Sequence, residues 1–133
     1  MKVHGACHCG AITYEADVTP GTVVLCHCAD CQQLAGSAFR AMIGAKGENV
    51  AFTGTPTIYV KIAESGRPRH QGFCATCGAH LFATDPERTH YGLRLGAIAE
   101  RRELGAPARQ LWTASAMDWV FDLGSVPKLA GQS

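Results

Sequence analysis

Seven cysteines stand in this chain, and all fall in tight clusters: Cys7 and Cys9, then Cys26, Cys28 and Cys31, then Cys74 and Cys77. A disulfide framework uses an even number of cysteines and spreads them so that bridges close long loops. Here the count is odd, and one or two residues separate neighbouring sulfurs. Such pairs are too close for loop staples and well placed to hold one ion. Zinc is the default occupant, because it takes tetrahedral thiolate and imidazole sites and needs no redox partner. An iron–sulfur cluster is the alternative for a thiolate-rich chain, but short knuckles suit zinc better.

A chain of 133 residues has the length of one domain, set here at 1–130 with a frayed tail at 131–133. An apolar share of 47% and a charged share of 17% describe an ordinary globule able to bury a core. No stretch reads as a signal peptide or a membrane span, so a cytoplasmic location is expected, where thiols stay reduced. The formal charge of +1 counts every cysteine as neutral. Two zinc ions on seven thiolates would bring it to about −2. Neither value gives the positive field that nucleic acid requires, so no nucleic-acid partner is expected. The pairs Arg67 with Arg69 and Arg101 with Arg102 read as solvated surface.

From Ala11 to Val18, Ile12, Tyr14, Ala16 and Val18 share one face at period two, which predicts a half-buried strand. Further β-like runs lie at Thr22–Cys26, Ala38–Ile43, Val50–Phe52, Thr57–Ile62, Arg69–Phe73, His80–Ala83 and His90–Ile98, punctuated by turn residues. Helical stretches are short: Ala29–Leu34 and Glu100–Leu104. The expectation is a mostly-β domain clipped by zinc.

Cys7-His8-Cys9-Gly10 and Cys74-Ala75-Thr76-Cys77-Gly78 both end in cysteine-glycine, which lets the backbone turn sharply and point N–H groups at sulfur. They read as two halves of one closed, structural Cys₄ site. Its binding free energy, on the order of 10 kcal/mol, is folding free energy. Cys26-His27-Cys28-Ala29-Asp30-Cys31 then has three sulfurs and no fourth cysteine. Three protein ligands and one vacancy make the catalytic pattern. Its alternatives are closure by a histidine (His27, His4, His8, His70, His80 or His90) or a reduced cluster without metal. His27 is disfavoured because it points away from Cys26 and Cys28 on an extended segment. Three thiolates on Zn²⁺ leave a net negative centre, a weak Lewis acid that suits thiol chemistry better than hydrolysis.

The segments Gly5–Tyr14, Cys26–Gln33 with Gly36–Phe39, and Phe73–Leu81 resemble the glutathione-dependent formaldehyde-activating enzyme family, which also includes centromere protein V. Trp112, Ser115, Trp119 and Val126-Pro127 resemble its closing tryptophan and proline pattern. The resemblance implies a β-tent of the Mss4-like type with zinc-ribbon-like cysteine clips and two zinc ions per chain. One ion would be structural, on Cys7, Cys9, Cys74 and Cys77. The second would sit on Cys26, Cys28 and Cys31, the catalytic candidates. Founding members are carbon–sulfur lyases that interconvert S-hydroxymethylglutathione with glutathione and formaldehyde, so a glutathione-like thiol is the expected partner. Many relatives carry an acidic pair where this chain has Ala99-Glu100.

Arg40, Lys46, Arg67, Arg69 and Arg94 are unranked candidates for the carboxylates of such a thiol. His27 and His80 are candidate proton carriers. The competing functional class is a non-catalytic zinc-clipped binding module, whose surface Trp112, Trp119 and Phe121 would supply. Aromatics at those spacings are expected in the core instead. A third reading is redox sensing by Cys26, Cys28 and Cys31. The sequence defines no oligomeric state.

Overall fold

The computed structural model describes residues 1–132 and is mostly β. The strands are β1 (Lys2–Ala6), β2 (Thr13–Asp17), β3 (Val24–Cys26), β4 (Arg40–Lys46), β5 (Val50–Thr53), β6 (Thr57–Ile62), β7 (Pro68–Phe73), β8 (His80–Thr84), β9 (His90–Arg94) and β10 (Arg109–Leu111). One α-helix, α1 (Ala29–Ala35), joins β3 to β4. β1, β2 and β5 form a three-stranded sheet, and the others a seven-stranded sheet in the order β10-β3-β4-β9-β8-β7-β6.

The core lies between the sheets. The period-two face foreseen for β2 is buried, with Ile12, Tyr14, Ala16 and Val18 each at most 5% exposed. Facing it are Ile43 and Ala45 of β4, Tyr91 and Leu93 of β9, and Leu81 and Phe82 of β8. Phe52 of β5 joins the layers, its ring 5.3 Å from Tyr14, 5.2 Å from Phe82 and 5.9 Å from Tyr91. Each large side chain so buried contributes about 1.5–3 kcal/mol, and tilted ring pairs add about 0.5–1.5 kcal/mol. Two cross-strand pairs set an aromatic ring over a glycine: Tyr14 over Gly5 and Phe82 over Gly72. A Cβ at either glycine would fall 2.0 Å or 2.2 Å from a ring atom.

β1 and β10 are strands that the sequence pattern does not announce. β1 has one core residue, Val3, and depends on partners at both edges: β2 on one side, and on the other Ile98 opposite Gly5 and a 2.8 Å bond from Ala99 N–H to the His4 carbonyl. β10 runs parallel to β3 and contributes only Leu111 to a partly buried position. The run expected over His90–Ile98 stops at Arg94, because the chain closes a 3₁₀ turn at Leu95–Ala97 with the Ile98 N–H on the Leu95 carbonyl. The short helical turn expected at Glu100–Leu104 is a 3₁₀ turn at Arg101–Glu103.

Between β8 and β9, Asp85 fastens the turn. Its carboxylate accepts N–H bonds from Thr89 and His90, both at 3.0 Å, and the Thr89 hydroxyl at 2.8 Å. The His90 N–H above all, with Thr89, holds this carboxyl well below the ordinary range against the opposing effect of burial.

Trp112, Trp119 and Phe121 are 65%, 51% and 59% exposed, which corrects the expectation that they sit in the core. Among the described residues after β10 the chain makes only a 3₁₀ turn at Thr113–Ser115, so no regular element there turns one face inward. Gly131 and Gln132 are exposed and outside any element, and Ser133 lies outside the described residues. Among the described residues no helix is long and apolar enough to cross a membrane.

Candidate metal centres

Cys7 and Cys9 follow β1, and Cys74 and Cys77 follow β7, so two distant hairpins deliver two sulfurs each. The hairpins are built alike. Cys7 N–H bonds the Ile12 carbonyl at 3.0 Å and Cys74 N–H bonds the Ala79 carbonyl at 3.0 Å. Gly10 and Gly78 take φ of 80° and 76°, the left-handed region that makes glycine the fitting residue after each second cysteine. The four sulfurs lie within 4.8 Å of one another, with Cys7 to Cys9 at 3.6 Å and Cys9 to Cys74 at 3.7 Å. A tetrahedral ion with metal–sulfur bonds of about 2.3 Å requires sulfur–sulfur edges of about 3.8 Å. The donor set therefore fits a tetrahedral thiolate centre. Backbone groups already favour the charged form: the Ile12 N–H points at Cys7 Sγ at 3.2 Å, and the N–H groups of Ala79 and Cys9 pull the Cys77 thiol down to about 6.

Cys26 ends β3, Cys28 precedes α1 and Cys31 lies in its first turn, which folds three sulfurs to within 4.8 Å of one another. Cys28 also caps the helix, its Sγ accepting the Cys31 N–H at 3.3 Å, while Gly36 closes the far end at φ 60°. Burial opposes ionisation of Cys28. The Cys31 side chain and N–H, Cys26 and the Arg40 guanidinium outweigh it and bring the thiol below its ordinary value. Cys31, more deeply buried, is pushed up by burial and by the two neighbouring sulfurs. Among the described residues no fourth histidine, cysteine or carboxylate joins this group.

His27 faces away from the sulfurs, as the strand alternation predicts. It is fully buried between Phe39 and Phe121, with Nε2 2.7 Å from Gln110 Oε1. That contact ties the segment following β3 to β10, a packing role rather than a ligand's. His80 stacks on Phe73, and burial first, then Arg94 and Arg40, lower its pKa. Glu100 holds the edge of β1, accepting the His4 N–H at 2.8 Å and meeting His4 Nδ1 at 2.6 Å. A larger depression of about 650 Å³ lies on that side, over the three-stranded sheet, and no cysteine lines it.

A cleft of about 550 Å³ opens beside the three-cysteine group, with Cys28, Asp30, Lys61, Trp112 and Ser115 in its wall. Lys61 and Asp30 form an ion pair there. Lys61 carries no motif, and β6 and β10 are opposite edges of the seven-stranded sheet, so only the tertiary fold brings Lys61 and Ser115 to the same helix.

The five cationic candidates separate by position. Lys46 and Arg67 are exposed at strand and turn ends, whereas Arg69 is half-buried, Arg40 half-buried and Arg94 only 7% exposed. Arg40 pairs in register with Cys26. Burial, together with Arg40 and Arg69, lowers the Arg94 guanidinium to about 9 against the raising effect of Cys31 and Cys26, so it stays charged at neutral pH.

A solved crystal structure of a Rhodobacter sphaeroides protein shares this fold, with a TM-score of 0.61 at 22% identity over 83% of this chain and 99% of that one. Among curated proteins there is no match. The sequence profile described as "Glutathione-dependent formaldehyde-activating enzyme" matches residues 2–115, which takes in all three cysteine motifs and stops short of Trp119 and Val126-Pro127. With 114 of its 133 residues inside that match, the chain belongs to the glutathione-dependent formaldehyde-activating enzyme family.

Proposed function

We propose that this protein is a zinc-dependent enzyme of the carbon–sulfur lyase type, acting on the adduct of a small thiol such as glutathione with formaldehyde or another small aldehyde. One observation carries the reading: four sulfurs close one cluster, while the other gathers three beside an open cleft. Cys7, Cys9, Cys74 and Cys77 would hold a structural zinc, and Cys26, Cys28 and Cys31 a second. A zinc ion held by these three thiolates would be electron-rich and would supply an affinity for deprotonated thiol sulfur rather than for ionising water.

In the direction of adduct formation the substrate sulfur bonds to the aldehyde carbon, the carbonyl π pair moves onto oxygen, and the thiol proton ends on that oxygen. The lyase direction reverses each change. Arg40 beside Cys26 and Cys28 favours negative sulfur in the site. Trp112 and the Lys61–Asp30 pair bound the cleft through which the thiol arrives.

The test is exchange spectroscopy of formaldehyde with glutathione. Zinc-loaded protein should accelerate adduct exchange over the spontaneous reaction, and Cys28→Ala should lose that gain. No acceleration at saturating glutathione rejects this substrate. A second reading, a non-catalytic binding module, draws on the exposed Trp112, Trp119 and Phe121. It predicts no rate gain with any thiol.

A further inference from the structure

One face of the seven-stranded sheet turns away from the core, and the ladder registers define its members. Cys26 of β3 opposes Arg40 of β4, Met42 opposes Arg94 of β9, Gly92 opposes Ala83 of β8, and Ala83 opposes Gln71 of β7. Directly paired residues, and residues two apart on one strand, share a face. Cys26, Arg40, Arg94 and Gln71 therefore stand on one surface, and Arg69 joins them two residues before Gln71. Directly opposed residues hold their Cβ atoms about 4.5–5.5 Å apart, which puts the Arg40 side chain next to Cys26.

This face is cationic, largely buried and incompletely bonded. Arg94 is fixed from both ends of its guanidinium, donating to the Gly92 carbonyl at 3.2 Å and to Gln71 Oε1 at 3.0 Å. Arg40 has Nε and Nη1 buried without any partner, and His80 Nδ1 is in the same condition. Two guanidinium donors withdrawn from water without an acceptor are expensive, and an anion is the natural acceptor for such a fork. No carboxylate of the described residues lies within salt-bridge distance of Arg40, Arg69 or Arg94. Asp30, the carboxylate next to the cysteines in sequence, is taken by Lys61.

Charge balance sharpens the point. A divalent ion on three thiolates has one surplus negative charge, and a substrate thiolate makes it two. Three guanidiniums exceed that by one, the charge of a single carboxylate.

We propose that Arg40, Arg69 and Arg94 form an anion pocket beside the three-cysteine site that takes a carboxylate of the incoming thiol, making this protein selective for acidic over uncharged thiols. The proposal rests on the thiol reading above and assigns its substrate class. Arg40 supplies the unfilled donors. Gln71 is a positioning residue whose Oε1 accepts from Arg94 Nη2.

Cobalt-substituted protein separates the two readings, since thiolate–cobalt charge-transfer bands report sulfur arriving at the metal. Titrations would compare 3-mercaptopropionate and glutathione with 2-mercaptoethanol. The acidic thiols should bind at least about tenfold more tightly in the unaltered protein, and added salt should narrow the gap. Arg40→Gln should weaken 3-mercaptopropionate by about ten- to a hundredfold while changing 2-mercaptoethanol far less, and Arg40→Lys should restore only part. Equal affinity for acidic and neutral thiols in the unaltered protein overturns the pocket and leaves the thiol reading standing. An Arg40→Gln protein that loses both thiols equally, together with cobalt, shows the arginine to be a counter-ion of the sulfurs and also overturns it. If no thiol perturbs the cobalt spectrum, both readings fall together.

Discussion

At the scale of single residues, Cys77 and Cys28 have the same chemistry and different dependants. Cys77 belongs to a cluster that joins the hairpin after β1 to the hairpin after β7, parts of the chain that meet nowhere else in the order of the sheets. Cys28 belongs to a cluster drawn from one short segment, where losing a ligand leaves the sheets joined. Cys77→Ala should give little soluble folded protein, whereas Cys28→Ala should stay folded with one zinc fewer by elemental analysis. Cys28 also caps α1, so Cys28→Ser, which keeps an acceptor for the Cys31 N–H, should be about 0.5–2 kcal/mol more stable than Cys28→Ala at equal metal content. A normally stable Cys77→Ala protein would end the division into a structural and a functional ion.

Among elements, the seven-stranded sheet depends on close approach between facing strands. Phe82 lies over Gly72, where an added methyl would meet ring carbons at 2.2–2.6 Å. Gly72→Ala should therefore destabilise by about 1–3 kcal/mol, the usual range for overpacking. Phe82→Leu alone also costs stability because the ring is 1% exposed. The double variant should lose less than the two single losses added together, because the smaller side chain relieves the clash. Thermal melts of the unaltered protein and the three variants, all zinc-loaded, measure this, and strict additivity would show that the backbone, not the ring, absorbs the strain.

For the whole molecule, the two centres differ in what their removal releases. The closed cluster ties the small sheet to the large one, while the three-cysteine cluster borders a cleft of about 550 Å³. A chelator reaches an ion with a free coordination place sooner than one enclosed by four sulfurs. Stepwise chelation should thus remove one equivalent with circular dichroism unchanged, and the second only together with loss of the β signal. Simultaneous release of both equivalents would mean that the centres are not independent.

Spacing alone was enough to group the cysteines, because knuckles of one or two residues leave little conformational choice, and Cys-Gly foreshadowed the positive φ at Gly10 and Gly78. The β character followed from alternation, which is a local property. β1 and β10 carry no local signal, because their stability comes from strands distant in sequence rather than from their own pattern. The ranking of the arginines had the same cause: Arg40 and Arg94 share a face with Cys26 only through strand order and register, which no local window of residues encodes. By itself, then, the chain's chemistry dictated which sulfurs can share an ion. Long-range pairing, set by burial of the shared core, decided which charges stand beside them and where the cleft opens.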